Sequence, residues 1–434
     1  MAKILIWRKV APGNELDIFH QSNFHTLYEQ VQSMFGGVCP NWGNKLWFQG
    51  LYSEINTADN EIFFRQDETY EEINNNYDLI IYPMANFFAQ EHVSSTESIR
   101  KVFSAIKIPV YIIACGAQAD SYEDLDKLVE QIGEPSKRFI SAIYNTGGEF
   151  ALRGNFTKAF FTKLGFPTAV VTGCPSLYQM GPSFKVDGPI KDLTPEKIII
   201  NGKIKYFEKI LQALPKSIYI DQDQYFAPLF EPNYLMQHGR GSFLRSAAIF
   251  EYLYGAYSAQ LLAENRIIMM PDMGPWFSYL RYHGFQYSVG TRIHGNIMSI
   301  LCNIPSTVVA IDTRTKEIAE FFNIPYYDLT EGTKKKHFCP DKIFELYQQA
   351  NYTKFNKNFR SKYENYVGFL RQKGIVQHIN YENEFFNDRF NFSEVSSINK
   401  YEFIKYANKL RKYRIPIYIG KQVLELKNKL HVFK

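Results

Sequence analysis

Along much of this chain, short apolar runs alternate with longer segments in which apolar residues return every three or four positions. YDLIIYP (77–83) and VYIIACG (110–116) are apolar on consecutive residues, the pattern of strands buried on both faces. The same reading gives strands at KILIW (3–7), EIFFRQ (61–66), EFALRG (149–154) and TAVVTG (168–173). Between them STESIRKVFSAIK (95–107) and NFTKAFFTKLG (155–165) carry helical spacing, the second closing on Gly165 as a C-cap. From Gly173 to Glu196 the pattern stops, and Pro175, Pro182, Pro189 and Pro195 mark a domain boundary. It restarts with strands KIIING (197–202), SIYIDQ (217–222), RIIMMP (266–271), QYSVG (286–290) and STVVAID (306–312). Helices are predicted at KYFEKILQAL (205–214), from about Gly241 to Ala263, and at GPWFSYLRYHG (274–284), GNIMSILCN (295–303) and TKEIAEFFN (315–323). The alternation predicts an α/β protein with two doubly wound, Rossmann-like domains facing a cleft, residues 1–185 and 190–375. A polar linker and a helical basic tail follow over 376–434, and no short fixed-period repeat is present.

Composition narrows the class. Of 434 residues, 45% are hydrophobic, enough for sizeable cores and unlike a disordered chain. A net charge of +5 is too mild to imply a nucleic-acid partner. Cys39, Cys115, Cys174, Cys302 and Cys339 are widely spaced with no CxxC pair, which argues against a disulfide framework and a zinc site. The apolar run ILIW is short for a signal peptide, and no run approaches the ~18 residues of a membrane helix. These features predict a cytoplasmic protein with no metal and no cofactor.

One stretch concentrates chemistry: SVGTRIHGNIMSILCNIPSTVVAID, beginning at Ser288. Arg292 and His294 fall between the end of a predicted strand and the helix expected after Gly295. In open α/β sheets that edge is where ligands bind, and a helix N-terminus favours an anion. If the link is extended, residues two apart face one ligand. Arg292 then offers a planar fork for phosphate or carboxylate, and His294 a proton donor near neutral pH. The plain alternative is an arginine paired with an acidic neighbour and a histidine at a helix cap.

The segment from Gly290 to Pro325 resembles the C-terminal signature of the polysaccharide pyruvyl transferase family. That signature has a Gly-x-Arg-x-His-Gly turn, a helix, an IP dipeptide, an apolar strand ending in Asp, and a DTRT-x-E helix start. NWGNKLWFQG, with Asn41, Gly43 and Asn44, resembles the family's N-terminal loop, and FALRGNFTKAFFTKLGF its arginine-bearing strand and helix. After Arg153 the family pattern often has an acidic residue; here Gly154 stands there.

This resemblance implies a fold like that of GT-B glycosyltransferases, with the site in the cleft. It also implies transfer of the enolpyruvyl group of phosphoenolpyruvate to a sugar of a cell-surface polysaccharide or its precursor, giving a pyruvate ketal. His294 is the expected acid, Arg292 the anion holder, and Arg153 a second clamp from the facing domain. Gly295 belongs to the same turn. Asn41, Gly43 and Asn44 bind phosphate or sugar through a turn, or are turn chemistry only. Gly116 allows close approach of a ligand or simply ends a strand. Asp312, Arg314 and Glu317 either hold a nucleotide ribose, as in GT-B enzymes, or buttress the site. His238, Asp221 and Asp223 reach the cleft or are solvated loop residues.

Two rival functions keep the same fold: a glycosyltransferase using a nucleotide sugar, and a non-catalytic sugar-binding member of a polysaccharide assembly complex. The segment from Lys405 to Lys434 mixes lysine and arginine with apolar residues. It is expected either on an anionic membrane surface, near a lipid-linked acceptor, or packed back onto the first domain.

Overall fold

A computed structural model describes residues 2–7, 43–55, 59–190, 192–202, 206–222, 261, 264, 266–269, 273–330 and 339–375. The predicted helix near 241–263, apart from Leu261, and the tail over 376–434 lie outside the described residues, as do Asn41, Asp223 and His238.

Two parallel sheets account for the alternation of the sequence. The first contains β1 (Ala2–Ile6), β2 (Asn60–Phe64), β3 (Leu79–Pro83), β5 (Val110–Ala117), β6 (Glu149–Leu152) and β7 (Val170–Val171), with short β4 (Asn86–Phe88) pairing β5. Its order is β2-β1-β3-β5-β6-β7. The second contains β8 (Ile198–Asn201), β9 (Ile218–Asp221), β10 (Ile267–Met269), β11 (Tyr287–Gly290), β12 (Ser306–Ala310) and β13 (Tyr326–Asp328), in the order β10-β9-β8-β11-β12-β13. The strand order reverses between β8 and β11, the topological switch point at which doubly wound sheets open a ligand crevice.

Helices cover both faces of the first sheet. Helices α1 (Gly43–Ile55), α2 (Tyr70–Asn76), α3 (Val93–Phe103), α4 (Leu125–Asn145) and α5 (Asn155–Lys163) belong to it. Helices α6 (Glu208–Ala213), α7 (Met273–Tyr282), α8 (Ile293–Leu301), α9 (Thr313–Phe322) and α10 (Pro340–Gln348) follow in the second half. Phe103, Phe139 and Phe160 pack against one face of the first sheet. On its other face one apolar cluster runs through both sheets, from Ile4, Trp47 and Ile113 to Ile199, Trp276 and Ile297.

The last described helix, α11 (Thr353–Gln372), returns to the first domain. Tyr366 is fully buried and stacks on Tyr178, ring centroids 4.9 Å apart. Asn365 Nδ2 donates to the Val171 carbonyl at 2.8 Å, and Lys373 pairs with Glu149 on β6. Two doubly wound domains facing a cleft, with a terminal helix crossing back, are a GT-B-like arrangement.

Several boundaries differ from the sequence pattern for local reasons. The run TAVVTG pairs only at Val170–Val171, because Thr172 and Gly173 both turn their amides onto the Leu152 carbonyl at 2.9 and 3.1 Å. Gly173 takes φ +81°, ending the strand. Helix α8 begins at Ile293, ahead of the expected Gly295, because the extended Arg292 already accepts from Asn296 N at 3.2 Å. Helix α4 was not among the predicted helices; Pro135 lies inside it. Within the predicted boundary segment, Pro175–Met180 is a largely buried 3-10 turn. Its Pro175 carbonyl lies against Gly50 of α1, where a Cβ would stand only 2.5 Å away.

Candidate active site

The GTRIHG turn is held by an asparagine at the end of β8. Asn201, 1% exposed, donates from Nδ2 to Ser288 Oγ and Asn296 Oδ1, both at 3.2 Å. Its Oδ1 accepts from Arg292 N at 3.3 Å, and its carbonyl accepts from Thr291 N at 3.1 Å. Asn296 Nδ2 in turn donates to the carbonyls of Gly290 and Arg292 at 2.9 and 3.1 Å. Both glycines of the motif exist to admit Asn201. A Cβ on Gly295 would lie 2.9 Å from its Oδ1, and one on Gly290 would overlap its carbonyl.

This turn delivers Arg292 and His294 to a cavity of about 50 Å³ between the two sets of strand ends. Arg292 is the N-cap of α8 without a side-chain capping bond, so the helix N-terminus, which favours anions, opens toward the cavity. Asn44, Asn86 and Arg153 contribute from the first domain; Gln222, Thr291 and Arg314 from the second. The predicted Arg292, His294, Arg153, Asn44 and Arg314 thus meet in one place. Gly43 is buried in the first turn of α1, beside Asn44.

Arg153 follows β6 and is 3% exposed. Its Nη1 donates to Asn86 Oδ1 at 2.6 Å, while Nε and Nη2 are buried with no acceptor among the described residues. A guanidinium stays charged even when burial lowers its pKa, and buried donors without acceptors cost about 1–3 kcal/mol, more when charged. The group is therefore set for an anionic ligand.

His294 is 4% exposed. Burial, then the positive charges of Arg153, Arg292 and Arg314, push its pKa well below the usual histidine value. It is a neutral imidazole while the cavity holds no anion. Cys174, buried after Gly173, places Sγ 3.8 Å from His294 Nε2 and 3.0 Å from Ser176 Oγ.

The carboxylates of the DTRT-x-E segment are engaged inside the protein. Asp312 is the N-cap of α9: Oδ1 accepts from Thr315 N at 3.2 Å and Oδ2 from Arg314 Nη2 at 2.6 Å. Burial pushes the Asp312 carboxyl up, but Arg314 and Thr315 outweigh it and hold it below the usual range. Glu317 reaches across to Thr157 on α5. Gly116 stands beside Arg153, where a Cβ would come 3.1 Å from its Cδ. Asp221, 2% exposed, closes β9 next to Gln222. Among the described residues, no cluster of three His, Cys, Asp or Glu side chains could hold a metal ion.

Sequence reasoning missed Asn86, Cys174, Asn201 and Gln222. Asn201 carried one usable signal, an amide side chain where a fully apolar strand stops. Asn86 opens the short β4, and Cys174 and Gln222 come from loops; only the fold reveals that they converge.

Two doubly wound domains with a cavity lined by Arg153, Arg292 and Arg314 define a GT-B-like arrangement. The chain belongs to the polysaccharide pyruvyl transferase family, whose model matches residues 38–313 and takes in the GTRIHG turn and Arg153. A search of curated proteins returns no match. Among solved structures, the chain is similar to S. aureus MnaA in complex with UDP, at 10% identity and TM-score 0.40, covering 87% of this chain and 98% of that one. A UDP-N-acetylglucosamine 2-epimerase is similar at 10% identity and TM-score 0.34, covering 86% of this chain and 96% of that chain. Likenesses this distant carry no argument about what the cavity binds.

Proposed function

We propose that this chain transfers the enolpyruvyl group of phosphoenolpyruvate to a sugar of a cell-surface polysaccharide or its precursor, forming a pyruvate ketal. The observation that carries the reading is Arg153: a buried guanidinium with two donors unanswered among the described residues, in a cavity shared with Arg292 and Arg314. Phosphoenolpyruvate brings a phosphate and a carboxylate, and forked guanidinium groups suit both. Arg153 and Arg292 clamp the donor from opposite domains, while Arg314 is steadied by Asp312.

Donor binding then arms the acid. The same three arginines that depress the His294 pKa are offset by the donor's negative charge, so the imidazole gains affinity for a proton when the donor is present. His294 gives that proton to the methylene carbon, and positive charge develops at C2. A sugar hydroxyl attacks C2 and returns its proton to His294. The C2–O bond to phosphate breaks with its electron pair on phosphate, and a second hydroxyl closes the ketal, its proton leaving with phosphate. Gly295 and Asn44 line or shape the same space, and Glu317 is committed to Thr157 in place of a nucleotide ribose.

The test is incubation of the full chain with phosphoenolpyruvate and a panel of saccharides, read by mass spectrometry. The reading requires a saccharide product carrying one pyruvate ketal together with release of phosphate. Thermal stabilisation by UDP and none by phosphoenolpyruvate overturns it in favour of a nucleotide-sugar donor. For residues 405–434, which lie outside the described residues, the proposal is peripheral, salt-sensitive attachment to anionic membranes. Equal co-sedimentation with neutral and anionic vesicles overturns that part.

A further inference from the structure

Glu317 is 1% exposed and belongs to α9 of the second domain, yet its hydrogen bonds are made in the first. Oε2 accepts from Thr157 N at 3.0 Å, and the Thr157 hydroxyl lies 2.9 and 3.0 Å from the two carboxyl oxygens. Thr157 is the third residue of α5, so Glu317 satisfies a first-turn amide of a helix in the opposite domain. The N-cap of α5 is Gly154, which has no side chain to do this. A Cβ at Gly154 would stand 2.8 Å from Glu317 Cβ, so the glycine leaves the space the carboxylate enters. Gly116 is open on the same side: a Cβ there would lie 3.1 Å from Arg153 Cδ and 3.4 Å from Glu317 Oε1. The Thr157 hydroxyl also accepts from Ala117 N at 2.9 Å, tying the end of β5 into the same knot. Arg153 immediately precedes Gly154, so the residue with the unanswered donors is the one this knot backs.

We propose that Glu317 is a positioning residue for the donor anion: from the second domain it seats the start of α5 and so sets Arg153 as a wall of the cavity. The anion site is then a property of the two domains together, absent from either alone. This inference rests on the reading of phosphoenolpyruvate as donor.

The charges around Glu317 extend the argument. Arg153 faces it from the end of β6, Asp312 from the start of α9, Cys115 from β5 and Tyr122 from the segment before α4. Burial, reinforced by Asp312, pushes the carboxyl up to about 8 against the pull of Thr157 and Arg153. Near neutral pH it is largely uncharged, and no ion pair consumes Arg153. Above that range an ionised carboxylate stands beside Arg153 and competes with the anion for the guanidinium.

The experiment is calorimetric titration of the full chain with phosphoenolpyruvate at pH 7 and pH 9, repeated with inorganic phosphate. Wild type, Glu317→Gln and Glu317→Ala are compared, with circular dichroism checking that each variant is folded. Wild-type affinity is expected to fall by about three- to tenfold from pH 7 to pH 9. Glu317→Gln keeps the pH 7 affinity within about twofold and loses the fall, since an amide keeps the seat without titrating. Glu317→Ala binds about tenfold more weakly than wild type at pH 7, with no further fall by pH 9, and in turnover the loss appears in KM more than in kcat. Wild-type affinity for both anions in Glu317→Ala overturns the positioning role, as does equal pH dependence in wild type and Glu317→Gln. Phosphate binding with the expected pattern, but none by phosphoenolpyruvate, overturns the donor reading alone. Failure of wild type to bind either anion overturns both.

Discussion

At the scale of single residues, the cavity is a contest between burial and charge. Arg153 remains charged at a cost that an anion relieves, so removing the charge is expected to weaken donor binding more than removing shape. Arg153→Ala should lower phosphoenolpyruvate affinity by about 10- to 100-fold, and Arg153→Lys should recover part of it, since a point charge cannot fill a forked site. Isothermal titration separates the two. His294 is the mirror case: neutral in the empty cavity and pushed toward protonation by the donor. In a Glu317→Gln background, the alkaline fall of kcat should therefore lie at higher pH than the alkaline fall of kcat/KM, because the first reports the donor complex and the second the free enzyme. Coincident limbs would remove His294 from the acid role. His294→Ala should lower kcat by roughly 10²- to 10⁴-fold. Arg292 and His294 were legible in sequence because their motif lies between a strand and a helix. Cys174 was not: nothing in GCPSLYQM signals that its thiol would face an imidazole 120 positions away.

At the scale of elements, β8, β11 and α8 act as one unit joined by Asn201. Its side chain donates two hydrogen bonds and accepts one in a space that Gly290 and Gly295 leave open. Asn201→Leu should cost about 1–3 kcal/mol of stability for buried partners left unanswered, and should lower turnover further than stability explains. Chemical denaturation alongside kinetics on the folded fraction checks this. Most strands were readable because parallel strands buried on both faces are continuous apolar runs, whereas the short β4 and β13 were not predicted. Element ends were less readable. The stop of β7 depends on Thr172 and Gly173 binding the Leu152 carbonyl, a partner outside the local sequence. Gly154 gave the opposite lesson. Read along the chain it departs from the family's acidic preference, and in space the carboxylate arrives from Glu317 instead.

At the scale of the whole molecule, the domains are joined by polar contacts at the cleft and apolar ones behind it. Thr313 exchanges hydrogen bonds with Ala119, Tyr122 donates to Glu320 at 2.7 Å, and Glu317 caps α5. The Glu317 contact makes stability depend on pH. A carboxyl whose folded value is raised holds its proton in the native chain while the unfolded chain has lost it. Native stability therefore falls as pH climbs from the ordinary glutamate value toward about 8. Glu317→Gln should flatten that decline, so the variant's advantage over wild type in urea unfolding should grow from pH 6 to pH 9; an unchanged gap would argue against a buried neutral acid. The two-domain plan was visible in the restart of the pattern after Glu196. The partnership of α9 with α5 was not, because no periodicity encodes which helix N-terminus a distant glutamate will cap.

Helix α11 has a further consequence, for the order in which the chain is made. Translation delivers the strands of the first sheet early and residues 353–372 late, yet Tyr366 and Phe369 of that helix cover Tyr178 and Tyr111 of the first domain. A nascent first domain therefore emerges with part of one face uncovered, and it stays so until most of the second domain has left the ribosome. A chain stalled before α11 leaves Tyr178 and Tyr111 without the aromatic partners that cover them in the finished fold.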